Sequence, residues 1–319
     1  MSPSQFLFAI PLQNLGNGKN THSNLFYGDK IEKKAALQFI STMDSLPPTP
    51  PNVVIRGDDY PIPALLLPPL PPSPPPTPPR TPTPSVFIGK SPTIDPFTLW
   101  IPPLVETPIE FSKNNVIILD WDNTLCPSDW LMMMGFNVNT LFEYSLPLLK
   151  VIGDCERVAI AAERLIRAAQ SYGQVVIVTN ATGGWVNKTC SILMPGLHGL
   201  VKSLPVISAC ELYEPFYVNP NVWKIQTFRR EVLETLFKNE PQAPRMVLSI
   251  GDGEAERNAV RMLIFVTNFG AVTTKSLKFM DRPTPNLLIE QIEKSIMAMP
   301  SMIASGDHMD LFMGTISSD

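Results

Sequence analysis

The chain has little cysteine and histidine and no long apolar stretch. Four cysteines in 319 residues, at positions 126, 155, 190 and 210, are too few and too irregularly spaced for zinc pairs or a disulfide framework. A reducing compartment is the plain expectation. The location expected is cytoplasmic, with the nucleus left open. No apolar run approaches the roughly 20 residues of a membrane helix, so no membrane association is expected. The opening Met1–Leu12 holds a short apolar patch, but it lacks a basic leader and is interrupted by Pro11. It does not read as a signal peptide. An excess of positive charge is also missing: 25 basic side chains face 29 acidic ones, for a net charge of −4. That balance gives no general pull toward nucleic acid or anionic lipid, and no basic tail is present.

Proline is abundant and unevenly placed. Of 35 prolines, 22 fall in residues 47–108. Proline fixes φ and removes the amide donor, so neither a helix nor a sheet ladder is expected there. A solvated, extended polyproline conformation is expected instead. Residues 1–46 read as a poorly ordered N-terminal segment, 47–110 as a disordered proline-rich linker, 111–300 as one α/β domain, and 301–319 as a loose tail. Within the arm, Pro75-Pro76-Thr77-Pro78-Pro79-Arg80 matches the Pro-x-x-Pro-x-Arg pattern that SH3-type domains read. The same composition also makes a plain spacer.

From residue 111 the pattern alternates. Val116-Ile117-Ile118-Leu119, Val175-Val176-Ile177-Val178 and Met246-Val247-Leu248-Ser249-Ile250 are short apolar runs suited to strands buried on both faces. Val206-Ile207 and Ser276–Phe279 are weaker strand candidates. Helical spacing predicts helices over 156–172, 186–193, 224–237, 254–263 and 286–297. Strands alternating with helices imply a doubly wound parallel sheet, Rossmann-like in class.

Three of the strands end in a polar residue: Asp120, Thr179 and Asp252. Ligands of open parallel sheets bind at that carboxyl edge. In Asp120-Trp121-Asp122-Asn123-Thr124, one carboxylate can attack phosphorus and the other can serve as acid and base. The same residues also suit a turn or helix start. Thr179-Asn180 offers a hydroxyl and turning amides for phosphate oxygens, or simply the end of a strand. Lys224 can neutralise phosphoryl charge, or sit solvated at a helix start. Gly251-Asp252-Gly253-Glu254-Ala255-Glu256 offers oxygen ligands for Mg²⁺, or a glycine turn into an acidic first helical turn.

In this order the four segments resemble the motifs of the haloacid dehalogenase superfamily. Its Asp-x-Asp-x-Thr motif corresponds to Asp120, Asp122 and Thr124. Thr179 falls on the second motif, Lys224 on the third, and Gly251, Asp252 and Glu256 on the fourth. Two stretches, Val178–Val186 and Ser276–Pro283, also resemble a poorly characterised protist subgroup. The resemblance implies Asp120 as nucleophile, Asp122 as acid/base, Thr179 and Asn180 as phosphate binders, and Lys224 as charge stabiliser. It implies Mg²⁺ held by Asp120, Asp122 and Asp252, with Glu256 in an outer position where the family more often has Asp. A second Asp in the first motif marks the phosphatase-type members. The function it implies is a Mg²⁺-dependent phosphatase working through an aspartyl-phosphate.

The gaps after Thr124 and Thr179 are too short for a full cap domain beside the core elements. In this family an open site goes with bulky substrates, so a phosphorylated protein is the expected partner and nucleic acid is disfavoured. Met132-Met133-Met134 in the first gap reads as apolar packing. The alternative function is a non-catalytic scaffold that recruits SH3-type partners through the arm.

Overall fold

In the computed structural model the described residues are 5–9, 98–99, 102, 103, 105, 108–136, 148–234, 245–265 and 272–315. The apolar runs form the centre of an eight-stranded sheet. Its strands are β1 (Gln5–Ala9), β2 (Thr98–Leu99), β3 (Asn115–Leu119), β4 (Gln174–Thr179), β5 (Val206–Ser208), β6 (Arg245–Gly251), β7 (Val272–Lys278) and β8 (Met309–Thr315). They lie in the order β2-β1-β8-β7-β6-β3-β4-β5. β3 to β8 all run parallel. β1 lies antiparallel on β8, and β2 antiparallel on β1.

Successive strand residues point to opposite faces, so each central strand feeds two cores. Ile117, Leu119, Ile177 and Leu248 belong to one core, and Val116, Ile118, Val176 and Val247 to the other. The first face is covered by α2 (Leu148–Gln170), α3 (Gly183–Leu193), α4 (Pro195–Lys202) and α8 (Pro285–Ala304). The short α1 (Ser128–Met133) adds Leu131 to it. The second is covered by α5 (Ala209–Tyr213), α6 (Pro220–Gln226) with its π-helical continuation Thr227–Glu234, and α7 (Glu254–Met262). On α2, Val158, Ala162, Leu165, Ile166 and Ala169 are fully buried at helical spacing. Counting from β3, the parallel strands run third, second, first, fourth, fifth, sixth across the sheet. This is the doubly wound, Rossmann-like order, and its direction reverses between β3 and β6.

Several expectations need correction. The tail is not loose: residues 309–315 form β8, with Leu311 and Met313 buried. α8 runs on past Pro300 to Ala304, where the buried Lys275 ammonium donates to the carbonyls of Met302 and Ser305. β1 and β2 fall in segments expected to be poorly ordered and proline-rich. A helix absent from the expected set, α4, follows the one expected over 186–193, and Pro195 opens it at a position where its missing amide costs nothing. The helix carrying Lys224 starts at Pro220, capped by Asn219, whose side chain accepts from Asn221 N at 3.0 Å. The methionine run is not packed away: Met132, Met133 and Met134 are 59%, 67% and 41% exposed. The SH3-type motif at Pro75–Arg80 lies outside the described residues. Among the described residues, no helix is long and apolar enough to cross a membrane.

Candidate functional site

Asp120 and Asp252 leave the sheet side by side at the point where its winding reverses. Asp120 follows β3, and its amide still donates to Ile250 O on β6 at 3.0 Å. Asp252 follows Gly251, the last residue of β6. Crevices of open α/β sheets form at this place. A side chain at Gly251 would not fit, because its Cβ would lie 2.8 Å from Glu256 Cγ and 3.3 Å from Asp120 Cβ.

Lys224 reaches in from α6. Its Nζ lies 2.6 Å from Asp120 Oδ1 and also pairs with Glu256 Oε1. All three residues are buried. Glu256 sits in the first turn of α7 and is turned toward the lysine, and its Oε2 is buried without a hydrogen-bond partner. Glu256 thus meets Lys224 through Oε1, and its Oε2 remains on the same edge as Asp120.

Asp122 is held from three sides. The Trp185 indole Nε1 donates to its Oδ1 at 2.8 Å, and the Ser128 hydroxyl donates to the same oxygen. Thr179 Oγ1 lies 3.5 Å from Oδ2, while accepting from Ala181 N at 3.0 Å. Burial first, and then the Asp120 carboxylate, push Asp122 above the usual carboxylate range. Ser128, Trp185 and Lys224 pull it the other way. A raised carboxyl beside a second carboxylate is the pattern of an acid/base group next to a nucleophile.

Burial and the Asp120 charge push Asp252 up to about 7, against opposing contributions from Asn123, Lys224 and Lys278. Asn123 stands at φ 55, in the left-handed region that Asn tolerates. There its side-chain oxygen accepts from Asp129 N at 3.0 Å and its amide serves Asp252. Asp120 and Asp252 thus present two hard carboxylate groups of the kind a small divalent cation takes. Among the described residues, no group of three or more His, Cys, Asp or Glu side chains is arranged to hold a metal ion.

The fold thus brings five expected residues, Asp120, Asp122, Thr179, Lys224 and Asp252, to one edge. Asn180 behaves differently. Its side-chain amide donates to Pro220 O at 3.4 Å, which ties the end of β4 to the start of α6. Ser128, Asn123 and Trp185 carry no role in the sequence reading. Their contacts to Asp122 and Asp252 cross loops, and no local sequence pattern signals them. No protein-family model, curated protein or solved structure matches this chain.

Proposed function

We propose that the chain is a Mg²⁺-dependent phosphatase of the haloacid dehalogenase type, acting through an aspartyl-phosphate. The observation that carries this reading is the meeting of Asp120, Asp122, Lys224 and Asp252 at the reversal point of the sheet.

In this reading Asp120 attacks the phosphorus of a phosphate monoester. The bond from an Asp120 oxygen to phosphorus forms as the bond to the leaving oxygen breaks, and protonated Asp122 gives that oxygen its proton. The ionised Asp122 then takes a proton from water, whose oxygen attacks the phosphorus. Asp120 is released, inorganic phosphate leaves, and Asp122 is protonated again. Lys224 holds Asp120 in line and offsets phosphoryl charge. Thr179 contributes its hydroxyl at the phosphate oxygens. Asp120, Asp252 and the backbone carbonyl of Asp122 are the groups that would hold Mg²⁺, which when bound supplies charge neutralisation for the phosphoryl oxygens.

An open site fits the placement of the residues between Thr179 and Lys224. Val186, Cys190, Leu197 and Val201 are buried in one core and Ala209 and Tyr213 in the other. None of these segments is spare for a cap, which favours a bulky substrate such as a phosphoprotein. The test is hydrolysis of p-nitrophenyl phosphate with Mg²⁺, with chelator, and by Asp120→Asn. Metal-dependent turnover lost in the variant supports the reading. Turnover that survives chelator and Asp120→Asn overturns it, as does absence of both turnover and Mg²⁺ binding, which would leave the scaffold reading.

A further inference from the structure

Two donors converge on one oxygen of Asp122 and leave the other nearly free. Trp185 Nε1 lies 2.8 Å from Oδ1, and Ser128 Oγ bonds the same atom. Oδ2 has only the long 3.5 Å approach of Thr179. An indole N–H is a donor and never an acceptor. An oxygen that accepts from it cannot also direct a proton along that line. Oδ1 is therefore the anchored oxygen, and Oδ2 is the one without a short protein contact.

Trp185 is itself braced against the loop it serves. Trp121, between the two motif aspartates, donates from Nε1 to Thr189 Oγ1 at 3.0 Å. The Thr189 hydroxyl donates to Trp185 O at 2.7 Å. Trp121 and Thr189 are fully buried, so this link is shielded from water. Trp185 N closes the first turn of α3 on Thr182 O at 2.9 Å. Thus α3 is tied to the Asp120–Asp122 loop twice, once through each tryptophan.

We infer that Trp185 is the positioning residue of the proposed reaction: it anchors Oδ1 of Asp122 and so turns Oδ2 toward the leaving group. The inference rests on the phosphatase reading, in which Asp122 is the general acid. It adds that proton delivery depends on a side chain 63 residues away in sequence.

General acid catalysis matters in proportion to how poor the leaving group is. An alkyl alkoxide needs the proton, whereas p-nitrophenolate barely does. The experiment therefore compares full-length wild type, Trp185→Phe, Asp122→Asn and the double variant on an alkyl phosphate and on p-nitrophenyl phosphate. Trp185→Phe keeps an aromatic ring and removes only the N–H donor and one ring. The expected result is a loss of about 10- to 100-fold in kcat/KM on the alkyl phosphate, within the span of general acid catalysis. On the aryl phosphate the loss is small. The double variant is no worse on the alkyl phosphate than Asp122→Asn alone, because both changes remove one function. Equal losses on both substrates would show a packing role and overturn the inference, as would additive losses.

A second readout needs no turnover. The chain has five tryptophans, and the Trp185 indole N–H resonance is the one lost in Trp185→Phe. It should move in Asp122→Asn, and an unmoved resonance overturns the contact itself. Wild type that hydrolyses neither ester, with that resonance responsive, overturns the phosphatase reading and the positioning role with it. Active wild type with an unresponsive resonance overturns only the role of Trp185.

Discussion

Lys224 Nζ lies 2.6 Å from Asp120 Oδ1, and both side chains are almost wholly buried. The same ammonium carries Glu256, so one cation holds two carboxylates in a dry site. Removing the cation and removing one anion are then unequal changes. Lys224→Met leaves two buried carboxylates facing each other, at a cost of about 3–5 kcal/mol. Asp120→Asn leaves Lys224 paired with Glu256 and keeps the fold. Urea unfolding of the two variants should show a large drop in midpoint for Lys224→Met and a small one for Asp120→Asn, while both lose turnover. Equal midpoints would show that the lysine is not the shared counter-ion.

Gly251 is required by close approach rather than by turn geometry. A Cβ on Gly253 would lie 2.5 Å from Glu256 Oε2, and one on Gly251 would press on both Glu256 and Asp120. Gly251→Ala must push Glu256 off Lys224 or Asp120 off its position. The expected cost is about 1–3 kcal/mol, as for overpacked interiors, with a loss of turnover larger than the stability loss alone explains. Thermal melts alongside Mg²⁺-dependent hydrolysis measure both. A fully active Gly251→Ala would show that the crowding is relieved without moving the site.

The central strands were readable because Val116–Leu119 is wholly apolar and Met246–Ile250 apolar but for Ser249, short runs that suit strands buried on both faces. Their ends, Asp120 and Asp252, could be placed at one edge from that fact and the parallel winding. What could not be read is contact across the chain. Trp185 meets Asp122 over 63 residues, and Arg257 meets Asp310 over 53. β8 reads Met-Asp-Leu-Phe-Met-Gly-Thr, with a charged residue near its start and few β-branched side chains. Its strand character comes from pairing with β7 and β1, which no local pattern announces. The helix expected over 286–297 runs on to Ala304, and the Lys275 ammonium that bonds the carbonyls of Met302 and Ser305 at its end lies on another element.

The loop between α8 and β8 should sense acid. His308 Nδ1 accepts from Thr274 N at 3.0 Å, and an imidazole can do so only while that nitrogen carries no proton. Burial first, then the Lys275 ammonium, push His308 below 6.5, against the Asp307 carboxylate. The folded value is depressed, so the unfolded chain takes up the proton first as the pH falls below 6.5. Stability is therefore lost on acidification through that range and kept above it. His308→Gln should flatten the decline in urea midpoint between about pH 7 and 5 relative to wild type. An unchanged slope would place the acid-sensitive groups elsewhere.

Asp310 shows how much of the fold depends on the last strand. Arg257 holds it with two bonds, Nε to Oδ1 at 2.8 Å and one terminal nitrogen to Oδ2 at 3.0 Å. Asp310 is buried, and Arg257 stands one residue beyond Glu256 on α7. The pair therefore links β8 to the helix that presents the partner of Lys224. Asp310→Ala leaves a largely buried guanidinium with only Glu254, at a cost of about 3–5 kcal/mol. Truncation after Ala304 removes in addition the β8 ladder to β7 and β1 and the buried Leu311 and Met313. A truly loose tail would make truncation harmless. Integration into the sheet makes the truncated chain insoluble or cooperatively unfolded, with Asp310→Ala folded but markedly less stable. Circular dichroism melts of the two proteins against wild type decide between these, and a truncated chain melting like wild type would remove β8 from the folded core.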